Sequence, residues 1–173
     1  AANPGLDPFV PTPGASVLVP TAWIVPKIAP GELLVNLSEM RLYLLVGQES
    51  EPLLVTFPIG IGVEGASTPL GTHRVVGKVV DPAWHVPESV RKEEPDLPAV
   101  VPPGPDNPLG THALRLSARH ILIHGTNKPF GVGRRVRHGC IRLYPEDIPV
   151  LYGLVPVGTR VRAATAMVVR RCR

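Results

Sequence analysis

Two histidines and a cysteine lie close together in one glycine-rich stretch of the chain, residues 123–147. His124 and His138 are separated by thirteen residues, and Cys140 follows the second histidine after Gly139. These side chains suit three roles: metal ligands, a thiol nucleophile with an imidazole base, or ordinary residues of a glycine-rich loop. The spacing lacks the paired ligands of structural zinc sites, so no metal site is predicted.

The neighbours of Cys140 favour a nucleophile. A thiol reacts as the thiolate, and imidazole or cationic neighbours lower its pKa towards neutral values. His138 and nearby arginines therefore predict a lowered pKa for this thiol; the arginines are Arg134, Arg135, Arg137 and Arg142. Gly139 permits a sharp turn that aims backbone amides at one point, as an oxyanion requires. These features are typical of acyl transfer, although a cysteine in such a loop is often only a small hydrophobic residue.

Short strands joined by turns must position these residues. The chain of 173 residues contains 22 Pro and 17 Gly and is 44% hydrophobic, which favours one mainly β domain over long helices. Residues 115–125 alternate in polarity, which predicts a strand that ends at His124. A tight turn, a short strand and a helix started by Pro145 follow the glycine-rich connection. The proline-rich segment 81–110 is too long for a plain connection and is predicted to be a lid or a substrate-binding loop.

One short internal repeat is present. Residues 68–75 and 107–114 share the run Pro-Leu-Gly-Thr-His. Two copies are too few for a repeat protein, so we interpret them as two similar turns, each leading into a strand. Gly71 and Gly110 would adopt positive φ at these turns.

Charge is unevenly distributed along the chain. Residues 1–110 carry 6 Lys/Arg and 12 Asp/Glu, whereas residues 111–173 carry 12 and 2. The basic half suits nucleic acid, an anionic envelope polymer or a substrate with free carboxylates. With three Tyr, three Phe and two Trp, the chain has few aromatic rings for stacking on bases, so no nucleic-acid partner is predicted. No transmembrane segment is predicted, and no signal peptide is expected within this chain.

The stretch "HGTNKPFGVGRRVRHGCIRLYPEDI" resembles the signature of the L,D-transpeptidase catalytic domain family (YkuD-like, ErfK/YbiS type). In that family a histidine is followed, after a glycine-rich stretch, by Ser/Thr-His-Gly-Cys. The resemblance also includes residues 35–43, 57–75 and 98–114. This chain departs from the pattern at Arg137, where the family has a hydroxyl residue.

The resemblance implies a fold and a division of the chain. The fold is a mainly β sandwich with a short helix after the cysteine and a long proline-rich lid loop. Residues 31–165 would form the catalytic domain. Residues 1–30 would form an extended leader similar to the tail of a LysM peptidoglycan-binding module, and residues 166–173 a basic tail.

The family implies an exported cysteine acyltransferase of the periplasm or cell envelope that needs no cofactor. Cys140 would attack the carbonyl of the third residue of a tetrapeptide stem of peptidoglycan and release the terminal D-Ala. The acyl group would then pass to an amine, in a 3-3 cross-link or on an envelope lipoprotein. Such enzymes are carbapenem targets.

Matching positions assign roles to individual residues. The implied catalytic residues are Cys140, His124, His138 and Gly139. The implied substrate-binding residues are Gly125, Thr126, Arg142 and Arg137. Within the catalytic set, Cys140 is the nucleophile and His124 the general base, oriented by the Gly125 carbonyl. Backbone amides from His138 to Cys140 would receive the oxyanion.

Two alternative functions stay open. A cysteine hydrolase of the L,D-carboxypeptidase type would release D-Ala without forming a cross-link. A non-catalytic cell-wall-binding module would leave Cys140 unacylated. Cys172 is assigned no role, although a disulfide between it and Cys140 would silence the thiol.

Overall fold

The computed structural model describes residues 3, 5–7, 10–19, 26–48, 50–63, 68–136 and 139–165. Arg137 and His138, two residues of the sequence-predicted site, lie outside these ranges, as does Cys172.

The chain divides into two compact units. One is Ala1–Lys27 with Val168–Arg173, and the other is Ile28–Met167. In the first unit, the Asn3 side chain donates to the Leu18 carbonyl at 2.9 Å and accepts from the Leu18 amide at 2.7 Å.

The second unit is mainly β, which confirms the predicted fold class. Its described strands are β1 (Leu33–Asn36), β2 (Arg41–Gln48), β3 (Glu51–Pro58), β4 (Ile61–Gly62), β5 (Gly71–Val80), β6 (Trp84–His85), β7 (Val100–Val101), β8 (His112–Leu116), β9 (Leu122–His124), β10 (Arg135–Val136), β11 (Ile141–Arg142) and β12 (Arg160–Ala164). Its described helices are α1 (Glu88–Glu93) and α2 (Asp147–Leu154), with a 3-10 turn at Pro129–Gly131. Neither helix of the described chain has the length and apolar character needed to cross a membrane.

Eight strands form one sheet in the order β11-β9-β8-β5-β12-β1-β2-β3. The pairs β1/β12 and β9/β11 are parallel, and the other neighbours in the sheet are antiparallel. Strands β4/β10 and β6/β7 form two small ribbons. The large sheet curls around one core, because Leu42 on β2 and Ile141 on β11 belong to the same apolar cluster. Helix α2 joins this core through its buried residues Ile148 and Leu151.

The single strand predicted over residues 115–125 is wrong, because the chain turns between β8 and β9. The Ile121 amide donates to the Ala118 carbonyl at 3.2 Å, and the two strands pair in antiparallel orientation. Ala118 and Ile121 also pack against the core, so the apolar pattern continues through the turn and hides it. His120 has a φ of 61° there, in the left-handed region that a non-glycine residue seldom adopts.

The segment 81–110 contains more regular structure than a lid loop. It includes the β6/β7 ribbon and helix α1. In α1, Lys92 Nζ lies 3.1 Å from Glu88 Oε1, one helical turn earlier, and such a pair favours the helix. The prolines of the segment therefore bound short elements.

Candidate active site

Two parallel strands position the predicted histidine and cysteine. In the β9/β11 pair, Ile141 lies opposite Ile123 and Arg142 opposite His124. Both isoleucines are fully buried, and burial of each such side chain contributes about 1.5–3 kcal/mol to holding the strands in the core. His124 therefore lies at the end of β9, and Cys140 directly precedes β11.

His124 is buried, with 3% of its surface exposed. Its Nδ1 lies 2.6 Å from the Gly125 carbonyl oxygen. A carbonyl only accepts hydrogen bonds, so Nδ1 holds the proton and Nε2 is the unprotonated nitrogen. Burial and the nearby charge of Arg142 lower the pKa of His124 to about 4, against the opposing effect of the Gly125 and Leu109 carbonyls. The imidazole is therefore neutral at pH 7 and can accept a proton at Nε2.

Cys140 is a half-buried free thiol. Its Sγ donates to the His120 carbonyl oxygen across 3.7 Å. Burial raises the pKa of the thiol, and the Leu122 amide and the Arg142 guanidinium offset only part of this effect. The expectation that cationic neighbours give this thiol a lowered pKa is therefore wrong in direction. Charges near in sequence do not reveal burial, and burial dominates here.

The thiol and the imidazole line the same cavity, whose volume is about 750 Å³. Gly139 and Arg142 line it as well, and further lining comes from the segment 81–110, including Trp84 and Val90. Cavities of this size hold ligands of peptide or drug size. The segment predicted to be a lid thus forms part of the site.

A single buried side chain fastens the lid segment. Asn107 is fully buried, and its Nδ2 donates to the carbonyls of Pro82, Val101 and Pro102 at 2.8, 3.2 and 3.0 Å. Its Oδ1 accepts from the Leu109 amide at 2.9 Å. One amide therefore joins the beginning of the segment to its end.

Arg142 is held by its backbone and presents its side chain to two cavities. Its amide and carbonyl exchange hydrogen bonds with Gly60, each 2.9 Å long. The side chain lines both the cavity of the thiol and a second one of about 450 Å³. The guanidinium charge lowers the pKa of both His124 and Cys140.

Gly125 and Thr126 lie next to the site. A Cβ at Gly125 would lie 2.9 Å from Ile148 Cγ2, so glycine allows α2 to approach the end of β9. Thr126 is buried, lines the second cavity and accepts from the Lys128 amide at 3.0 Å through its hydroxyl.

The structure brings four of the sequence-predicted residues to one cavity: His124, Gly139, Cys140 and Arg142. Thr126 lines the second cavity instead. Arg137 and His138 lie outside the described residues, so their positions stay predictions. Across the described ranges, no three His, Cys, Asp or Glu side chains come together in a way that could hold a metal ion.

Sequence reasoning missed two anchoring residues that the internal repeat marks. Thr68 and Asn107 each precede the shared Pro-Leu-Gly-Thr-His run, and both are buried. The Thr68 hydroxyl donates to the Gly139 carbonyl at 2.8 Å, as Asn107 donates to carbonyls of the lid segment. Gly71 and Gly110 have φ of 110° and 67°, which confirms the positive φ predicted at the two turns.

Comparison with protein families gives one match over most of the chain. Residues 30–162 match the family described as YkuD, L,D-transpeptidase catalytic domain. The match does not include residues 1–29, so the LysM-like leader stays a prediction.

Two named relatives are similar over almost the whole chain. Probable L,D-transpeptidase YbiS of Escherichia coli is 44% identical over 167 residues, which are 93% of this chain and 53% of that protein. Putative L,D-transpeptidase YkuD of Bacillus licheniformis is 33% identical over 162 residues, 92% of this chain and 81% of that protein. The chain spans about half the length of the Escherichia coli relative.

Solved structures share the fold. The L,D-transpeptidase of Enterococcus faecium, solved as a mutant, matches with a TM-score of 0.58 at 18% identity and covers 79% of this chain and 50% of its own. An L,D-transpeptidase from Mycobacterium smegmatis matches with a TM-score of 0.54 at 21% identity, over 76% of this chain and 57% of its own.

Proposed function

Because the chain belongs to the L,D-transpeptidase catalytic domain family, we propose that its cavity carries out a two-step acyl transfer on peptidoglycan stem peptides. The observation that supports this most directly is the neutral imidazole of His124, whose Nδ1 is bound to the Gly125 carbonyl. Its Nε2 is left as a base in the cavity that also holds the Cys140 thiol. A nucleophile and a base of this kind are what acyl transfer needs.

In the first step, Cys140 Sγ attacks the carbonyl of the third residue of a tetrapeptide stem. Both groups are uncharged at rest, since the pKa of the thiol is raised and that of the imidazole is lowered. The thiol proton therefore passes to His124 Nε2 as the sulfur-carbon bond forms. Backbone amides of the turn that ends in Gly139 and Cys140 stabilise the oxyanion, a role the sequence also gives to His138.

The first step ends when the tetrahedral intermediate breaks its carbon-nitrogen bond and the imidazolium returns its proton to the nitrogen of the departing D-Ala, which leaves a thioester on Cys140. In the second step an acceptor amine attacks the thioester. His124 takes the amine proton and passes it to the leaving sulfur, which releases the enzyme. The acceptor is an amine of a neighbouring stem, which gives a 3-3 cross-link, or of an envelope lipoprotein. No cofactor takes part.

The charge of residues 111–173 supports an anionic substrate, and we propose that the protein acts in the periplasm or cell envelope. Residues 111–173 carry 12 Lys/Arg against 2 Asp/Glu, and stem peptides have free carboxylates. We assign one of these carboxylates to Arg142, which lines the cavity, and we propose Arg137, Gly125 and Thr126 as further substrate-binding residues. We assign this activity to residues 31–165, supported by the family match over 30–162 and by the compact unit Ile28–Met167.

Intact-protein mass spectrometry after incubation with a carbapenem tests the first half-reaction. The thiol adds across the lactam amide, so the expected product has the mass of the protein plus one whole inhibitor. Cys140→Ala should abolish the adduct, and the matched variant Cys172→Ala should retain it. An unmodified wild-type chain would count against the acyl-enzyme and favour a wall-binding module.

Product analysis with a tetrapeptide muropeptide and an amine acceptor tests the second half-reaction. Free D-Ala together with an acyl group joined to the amine is the expected result. D-Ala release without an amine-linked product would identify a hydrolase instead.

A further inference from the structure

The Thr68 hydroxyl reaches the peptide that joins Gly139 to Cys140. Thr68 and Gly139 are 71 positions apart in the chain, and the hydroxyl donates to the Gly139 carbonyl at 2.8 Å. Thr68 is 4% exposed, so water does not compete freely for this hydrogen bond. The contact therefore fixes the direction of one carbonyl beside the thiol.

The backbone holds the Thr68 side chain in place. Thr68 precedes Pro69, and a residue before proline is restricted to extended conformations. The Pro69 carbonyl lies 3.1 Å from Nε2 of His73 on strand β5. The hydroxyl is therefore carried by a segment that is fastened to the large sheet.

A fixed Gly139 carbonyl also fixes the Cys140 amide. No cis peptide occurs among the described residues, and in a planar trans peptide the N–H points away from the preceding carbonyl. The Cys140 N–H is therefore directed away from Thr68. Within the described ranges, no carbonyl or side chain accepts a hydrogen bond from this amide, while Gly139 and Cys140 both line the cavity.

We infer that Thr68 is a positioning residue, which aims the Cys140 amide at the oxyanion that forms when the thiol attacks a carbonyl. The inference rests on the proposed function, since it assigns the device that orients one oxyanion donor of that reaction. A donor must lie about 2.7–3.1 Å from the oxyanion to stabilise it, so a rotation of this peptide weakens the effect. The chain has Arg137, without a hydroxyl, before His-Gly-Cys, and Thr68 supplies a hydroxyl to the same turn from elsewhere.

Two reactions of the same thiol separate this role from a general one. Acylation by a carbapenem forms a tetrahedral oxyanion, whereas alkylation by iodoacetamide forms the sulfur-carbon bond, expels iodide and forms no oxyanion. The test compares both rate constants for wild type, Thr68→Val and Thr68→Ser. Valine keeps the shape of threonine without the hydroxyl, and serine keeps the hydroxyl.

We expect Thr68→Val to slow acylation by about tenfold to a hundredfold, the range for a misplaced donor, and to change alkylation by less than about threefold. Thr68→Ser should acylate within about threefold of wild type. Equal loss of both reactions, or unchanged acylation in Thr68→Val, would overturn the inference and leave the proposed function intact.

Two further outcomes also bear on the inference. If Thr68→Val does not fold, Thr68→Ala, which lacks the hydroxyl but avoids the bulk of valine, replaces it, and the same selective loss is required. A wild-type protein that is alkylated but never acylated would overturn the proposed function, and the inference with it.

Discussion

The Nδ1 atom of His124 donates a hydrogen bond to the carbonyl oxygen of the next residue, Gly125, across 2.6 Å. The imidazole is thus oriented by its own backbone and requires no carboxylate partner to set its tautomer. Gly125 is itself confined, because Ile148 of helix α2 leaves no room for a Cβ. Helix α2 therefore packs directly against the residue whose carbonyl orients the base.

Removal of the imidazole should slow acylation and leave the fold largely intact. We expect His124→Ala to slow carbapenem acylation by about a hundredfold or more, the scale of a lost general base, as followed by intact mass against time. His112→Ala is the matched control, because His112 lies on the neighbouring strand β8, against the Tyr152 ring at 4.7 Å and not on the cavity. Equal rates for wild type and His124→Ala would remove His124 from the mechanism.

On the acid side of its pH profile, the acylation rate should fall only near pH 4. An ordinary histidine loses its basic form below about pH 6.5, but the pKa of His124 is lowered to about 4, so its neutral form persists down to that pH. The acylation rate should therefore change little between pH 7 and 5 and fall as the pH approaches 4. A fall centred near pH 6.5 would contradict the buried, neutral base.

Arg142→Gln should move this fall in the acylation rate to higher pH. The Arg142 charge lowers the pKa of His124, so its removal raises the pKa and brings protonation closer to neutral pH. Arg160→Gln removes an arginine whose Nε lies 3.6 Å from Glu32, away from the cavity, and should leave the profile unchanged. Identical profiles for Arg142→Gln and wild type would show that burial alone sets the pKa.

The sequence predicts the strand-rich fold and the elements around the thiol for identifiable reasons. Abundant Pro and Gly exclude long helices, and Pro145 precedes a helix that begins at Asp147. The same patterns fail where a contact is distant in sequence. Nothing in the glycine-rich stretch indicates that Thr68 bonds to Gly139, although the repeat that includes Thr68 is a usable signal.

The direction of the Cys140 pKa could not be predicted, because it depends on burial. The residues near Cys140 in sequence give the local charge, and the charge of Arg142 does lower the pKa of the thiol. The opposing effect is the loss of solvation on burial, and the cavity that the thiol lines also includes Trp84 and Val90, about fifty positions away in the chain. Charges in a motif therefore predict the sign of a pKa shift only once the surrounding fold is known.

Two glycine substitutions should change stability in opposite directions. Gly110 has a φ of 67°, and a Cβ there would lie 2.9 Å from the Thr126 amide nitrogen, so Gly110→Ala should cost more than about 2 kcal/mol. Gly153 lies in helix α2 with no atom within 4 Å of its added Cβ, so Gly153→Ala should add about 0.5–1 kcal/mol. Urea denaturation measures both, and a stable Gly110→Ala would contradict the close approach at residues 125 and 126.

Loosening the lid should affect substrate capture more than the chemical step. Asn107→Asp keeps the shape and the acceptor for the Leu109 amide but replaces Nδ2 with an oxygen that faces the Pro82, Val101 and Pro102 carbonyls. We expect the free energy of unfolding to fall by about 1–3 kcal/mol, since donors are lost in a buried site. Because Trp84 and Val90 of the same segment line the cavity, KM for a tetrapeptide donor should rise several-fold while kcat changes less.

The control for Asn107→Asp is Asp96→Asn, an exposed exchange of the same two residue types within the segment, which should leave both constants unchanged. A fall in kcat at constant KM would mean that Asn107 acts on the thiol turn and not through the lid.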